Sequence, residues 1–84
     1  MMFAIEWKEG ALKQLDKLQL QISDRIYKKV EELSENPFSK DIKKLKGESA
    51  FRLRVGDYKV ILDIDLKNRI ISILRLGHRK NIYD

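Results

Sequence analysis

The stretch Phe51-Arg52-Leu53-Arg54-Val55-Gly56-Asp57-Tyr58-Lys59-Val60-Ile61-Leu62-Asp63-Ile64 decides the fold. Phe51, Leu53 and Val55 alternate with Arg52 and Arg54, the period of two that marks a half-buried strand. Gly56-Asp57 is a two-residue turn with glycine first, the signal of a type II′ hairpin. Beyond it, Tyr58, Val60, Leu62 and Ile64 continue one face of the next strand. So short a turn fixes the register: Val55 faces Tyr58, Arg54 faces Lys59, Leu53 faces Val60 and Arg52 faces Ile61. Arg52, Arg54 and Lys59 therefore project from the face opposite the apolar stripe. Placing Arg54 directly across from Lys59 costs a few tenths to about 1 kcal/mol, and selection for folding alone would avoid it. One such pair reads as a solvated face; three cations so close together point to an anion site.

Downstream, Asp65 to Asn68 make a turn and Ile70 to Leu76 form a strand. That strand is apolar at nearly every position, which predicts a central place with both faces covered. Upstream, residues 38–49 are mostly polar and read as a connecting segment with at most one helical turn, anchored by Ile42 and Leu45 and closed at Gly47. Before it, Ile22, Ile26, Val30 and Leu33 form one helical stripe that should end at Asn36-Pro37, since proline pushes its predecessor out of the helical region. Ala11, Leu12, Leu15 and Leu18 form a second stripe over Lys8 to Gln19. Residues 2–7 are short, apolar and aromatic, and read as a first strand. The order β-α-α-β-β-β predicts an α+β domain spanning 1–84: a small, mostly antiparallel sheet with an N-terminal helical hairpin on one face.

Composition narrows the function. A chain of 84 residues builds one modest core. Its 43% hydrophobic and 37% charged residues predict a folded, soluble domain. It contains no cysteine and one histidine, which argues against a disulfide scaffold or a transition-metal site, so no metal or cofactor is expected. The opening MMFAIEWKEG is not a basic leader with an apolar run, and no stretch approaches membrane-spanning length, so the expected location is cytoplasmic. The net charge of +5 is unevenly placed. Residues 1–39 carry six basic and seven acidic side chains, whereas residues 40–84 carry twelve and six. A basic half on a small domain favours an anionic partner, nucleic acid before acidic protein.

A phosphodiester fits this face, because the planar guanidinium fork matches phosphate oxygens. The last strand leads into Gly77-His78-Arg79-Lys80, which adds cations, and Gly77 would let the chain turn sharply there. His78 has the one side chain whose ordinary pKa suits proton transfer near neutrality; the plainer reading is a structural histidine. Tyr83 is placed to stack on a base or donate a hydrogen bond, or else to pack at the sheet edge. Neither a Gly-rich phosphate loop nor the Glu/His pair of general ribonucleases is present.

Taken together, these segments resemble the RelE/ParE toxin superfamily, and its RelE branch in particular. The resemblance covers nearly the whole chain. It is carried by the opening strand into Ala11-Leu12-Lys13-Gln14-Leu15, by Lys44-Leu45-Lys46-Gly47, by the Phe51–Val60 hairpin, by Leu76-Gly77-His78-Arg79 and by Ile82-Tyr83. It implies ribosome-dependent cleavage of messenger RNA in the decoding site, with a cognate RelB-type antitoxin as partner. It also implies RNA-binding roles for Arg52, Arg54, Lys59 and Lys80. Arg54, Arg79 and Tyr83 would serve catalysis, with His78 as a further candidate. One departure stands out: well-studied relatives carry lysines at the positions of Arg52 and Arg54, and arginine is a poor base. A ParE-like gyrase inhibitor, a non-catalytic RNA-binding domain and a toxin that has lost activity are the competing readings.

Overall fold

The hairpin adopts the register its turn dictates, with Val55 opposite Tyr58, Arg54 opposite Lys59, Leu53 opposite Val60 and Arg52 opposite Ile61. The structure is a computed structural model that describes residues 2–47 and 49–82. Gly56 has φ of +59° and Asp57 stays out of the left-handed region, as a type II′ turn requires. In chain order the elements are β1 (Ala4–Trp7), α1 (Glu9–Asp16), α2 (Leu20–Glu32), β2 (Ile42–Lys44), β3 (Phe51–Val55), β4 (Tyr58–Asp65) and β5 (Ile70–His78). The five strands lie in the order β1-β5-β4-β3-β2. β1 runs parallel to β5, and every other pair is antiparallel.

Three local readings change. The connecting segment holds a strand, β2, in which Ile42, Lys43 and Lys44 pair with Leu53, Arg52 and Phe51. Three residues with two lysines are too short and too polar to show a strand period, yet this suits a sheet edge that must not recruit other chains. α2 ends at Glu32, well before Pro37. There the amides of Leu33, Ser34 and Glu35 bond three residues back, a tightening typical of helix ends, and the Ser34 carbonyl accepts from the Phe3 amide at 2.8 Å. Leu12 faces solvent at 44% exposure, while Ala11 is fully buried. α1 lies close on β5, where only the small side chain fits.

The main core lies between the helices and the sheet. Ile26, Val30 and Leu33 from the α2 stripe meet Leu53, Val55, Val60, Leu62, Ile71, Ile73 and Leu76. A smaller cluster of Leu45, Ile61 and Ile82, with Leu74 and Ala50 against it, forms on the opposite face. β4 and not β5 holds the centre of the sheet, but β5 is an interior strand with apolar cover on both faces. Its register slips between Ile61, opposite Arg75, and Leu62, opposite Ile73, leaving Leu74 as the extra residue of a bulge. β1 stops at Trp7 opposite Ile73, and past that point α1 takes over the edge of β5. There the Gln14 side-chain oxygen accepts the Leu76 amide at 2.8 Å, satisfying a donor the sheet leaves open.

Candidate functional site: a cationic cleft

The face of the hairpin turned away from the helices carries a cleft of about 510 Å³. Five cations line it, Arg52, Arg54, Lys59, Arg79 and Lys80, with Gly56 and Tyr58 completing the wall. Among the described residues no carboxylate lines it. Arg52 and Lys59 are half-buried, so their aliphatic stems lie along the sheet, while Arg54, Arg79 and Lys80 are exposed. Arg54 leans back towards the turn, its Nε 3.5 Å from the Gly56 carbonyl.

Backbone contacts bring Arg79 and Lys80 to this place. The Arg79 amide donates to the Asp57 carbonyl at 2.8 Å, which extends the β4–β5 pairing past its end and fixes Arg79 beside the hairpin turn. The Lys80 amide then donates to His78 Nδ1 at 3.2 Å and the Asn81 amide to the His78 carbonyl at 2.8 Å, closing a tight turn. Ile82 folds back into the small cluster with Leu45 and Ile61. A Cβ at Gly77 would sit only 3.0 Å from Ile82 Cδ1. Gly77 does not occupy the left-handed region, unlike Gly47 and Gly56. Its role is to leave room for Ile82, not to bend the chain as expected.

His78 stands apart from the other candidates. It is the register partner of Tyr58, and its ring packs edge-on against that tyrosine at 5.3 Å and 76°. It does not line the cleft. Its Nδ1 accepts a backbone hydrogen bond, which places the proton of the neutral ring on Nε2. Tyr83 lies outside the described residues. Gly56 and Tyr58 were not anticipated as cleft residues. Tyr58 belongs by alternation to the core face, and only its place at the hairpin end lets it border both sides.

The acidic side chain held against the outer edge of the hairpin is already engaged. The Asp41 carbonyl accepts the Arg54 amide at 3.2 Å, while its carboxylate holds the Lys29 ammonium of α2 at 2.8 Å. That hydrogen bond from Lys29 lowers the Asp41 carboxyl below its ordinary pKa and, reciprocally, raises Lys29. Among the described residues no carboxylate forms an ion pair with Arg54. Among the described residues no helix is long and apolar enough to cross a membrane.

Comparison with known proteins agrees with this architecture. The family model described as the ParE toxin of the type II toxin–antitoxin system parDE matches residues 5–83. The "Putative toxin RelE1" of Methanocaldococcus jannaschii is 32% identical over 87 residues, covering 99% of this chain and 97% of that protein. The toxin–antitoxin complex RelBE2 of Mycobacterium tuberculosis contains a chain with a TM-score of 0.84 at 27% identity, covering 94% of this chain and all of that one. The RelE–RelB complex of Pyrococcus horikoshii OT3 gives 0.84 at 27%, covering 98% and 100%. With the family model spanning almost its full length and RelE toxins sharing its five-stranded architecture, this chain belongs to the RelE/ParE superfamily of type II toxin–antitoxin toxins.

Proposed function

We propose that this chain is a RelE-type toxin, a ribosome-dependent endoribonuclease that cuts messenger RNA in the decoding site and so blocks translation. One observation carries the reading: five cations, Arg52, Arg54, Lys59, Arg79 and Lys80, converge on one cleft, and no carboxylate among the described residues lines it. Such a surface suits a phosphodiester backbone better than a protein groove, whose centre is usually depleted of charge. In the reaction the ribose 2′-oxygen forms a bond to the adjacent phosphorus as the bond to the 5′-oxygen breaks. The 2′-hydroxyl proton leaves and the 5′-oxygen gains one. Negative charge builds on the phosphoryl oxygens, where Arg54 and Arg79 supply stabilisation. Arg52, Lys59 and Lys80 hold the strand. Arginine is too weak an acid to serve as the base, and His78 packs on Tyr58 outside the cleft lining, which leaves Lys59, Lys80 and Tyr58 as the described cleft side chains able to exchange a proton. The message and the ribosome supply the remaining groups.

The partner in this reading is a RelB-type antitoxin. Support comes from the structural relatives, which are toxin–antitoxin complexes, and from the basic cleft, which suits an acidic extended segment. A second reading, gyrase inhibition by protein binding, draws on the ParE description of the family model. Translation in vitro followed by primer extension on the message separates the two. The nuclease reading expects cuts at the decoding site that vanish with Arg79→Ala. Intact message together with blocked supercoiling would favour the gyrase reading.

A further inference from the structure

The cationic surface does not stop at the cleft. Beyond Leu53, β3 has no strand on its outer side, because β2 begins at Ile42 opposite that residue. A hollow of about 240 Å³ opens there, lined by Arg25, Lys29, Asp41, Arg54, Val55 and Gly56. The charge of Lys29 is taken up by Asp41. Arg25, one helical turn before Lys29 on α2, is exposed and, like Arg54, is in no ion pair with a carboxylate of the described residues. Asp24, beside it in sequence, pairs with Lys28 at 3.0 Å. Asp57 shares a neighbouring hollow with Arg25 without bonding to it.

Arg54 and Gly56 line both this hollow and the cleft. At position 56 no side chain stands between them, and a Cβ there would lie 3.4 Å from Arg25 Nη1. The glycine that the turn needs for its positive φ thus also leaves a bare saddle joining two groups of cations.

We propose that Arg25 forms a second phosphate subsite, so that an RNA strand leaving the cleft crosses the backbone at Gly56 and rests a further phosphate between Arg25 and Arg54. The inference deepens the RNA reading of the cleft and rests on it. Continuity favours the strand over an acidic peptide: a phosphodiester carries a charge at every unit and can follow a track past the turn, whereas peptide carboxylates arrive on side chains of unequal reach. A guanidinium on an exposed helix face also grips phosphate without ordering any loop.

The test is fluorescence anisotropy with labelled oligouridines of three and ten nucleotides, at several salt concentrations, using the full chain, Arg25→Gln and Arg54→Ala. Glutamine keeps helix propensity and removes only the charge. Arg25→Gln should leave the trimer unchanged and weaken the decamer about three- to fivefold, as expected for an exposed charge contact. The salt slope of the decamer should fall by about 0.7, one released counterion for a single strand. Arg54→Ala should weaken both lengths. A decamer bound no more tightly than the trimer by the unaltered chain, or bound equally by Arg25→Gln, would overturn the subsite. If Arg54→Ala also bound both lengths normally, the RNA reading of the cleft itself would fail. Normal RNA binding by Arg25→Gln with weakened binding of an acidic antitoxin peptide would overturn the subsite by assigning it to protein.

Discussion

Arg54 and Lys59 face each other as register partners across the β3–β4 hairpin, two cations at the position of closest cross-strand contact in a sheet. That arrangement costs folding a few tenths to about 1 kcal/mol. Replacing the exposed Arg54 with Thr should therefore raise stability by up to about 1 kcal/mol, since threonine suits a strand and removes the repulsion. The same change should weaken RNA binding and lower toxicity. Urea unfolding and a growth assay on the one variant check both directions; a variant both less stable and fully toxic would contradict the trade.

Gly77 and Ile82 are the hinge pin of the tail. Gly77→Ala should cost about 1–3 kcal/mol, because the new methyl collides with a side chain already packed on Ile61 and Leu45. Activity should drop further than stability, since displacing Ile82 moves Arg79 and Lys80 with it. Adding Ile82→Val should return part of both losses, and thermal melts with cleavage assays on the double variant measure the coupling.

His78→Gln should lower the single-turnover rate on the ribosome by less than tenfold and leave its pH profile near neutrality unchanged. The ring packs on Tyr58 and its Nδ1 accepts the Lys80 amide, so its loss loosens the turn that carries Arg79. A fall of about 10²–10⁴-fold with a flattened pH profile would instead make it the proton-transfer group.

The Lys29–Asp41 pair ties α2 to the edge of β3 and gives stability a defined pH window. The carboxyl of Asp41 is lowered from 3.8, so its contribution is complete above that value and disappears as pH falls through the lower folded pKa. Lys29 is raised from 10.5, so its contribution is complete below that value and is lost as pH climbs through the higher folded one. Asp41→Asn should remove the acid limb of this dependence and leave a flatter stability profile below about pH 4, read by chemical denaturation across pH.

The hairpin was legible because its turn and its alternation are local. Gly56-Asp57 admits one register, and register alone places Arg52, Arg54 and Lys59 on one face. β2 was not, because three residues with two lysines carry no period; only pairing with β3 makes them a strand. The end of α2 was misplaced because proline marks where a helix cannot continue, while the Phe3–Ser34 bond from a distant strand sets where it stops. The role of Gly77 was hidden for the same reason. Its neighbour Ile82 lies five positions on, and their contact exists only after the tail has folded back. Arg25 gave no signal at all, being one cation on a charged helix until the hairpin tip is brought beside it.

The parallel pairing of Ala4 with Ile70 joins residues 66 positions apart in the chain. Until β5 has been synthesised, β1 has no partner and α1 has no strand to lie on. The order of translation therefore runs against the order of assembly, and the closing contacts are the most distant in sequence, which slows folding. The cleft is completed later still, when Arg79 hooks onto Asp57. A nascent chain cannot hold a finished cleft before Arg79 and Lys80 have been made. Synthesis itself becomes a timer: the cleft closes only after β5 and the turn behind it have emerged, and the apolar helix faces stay open throughout that interval.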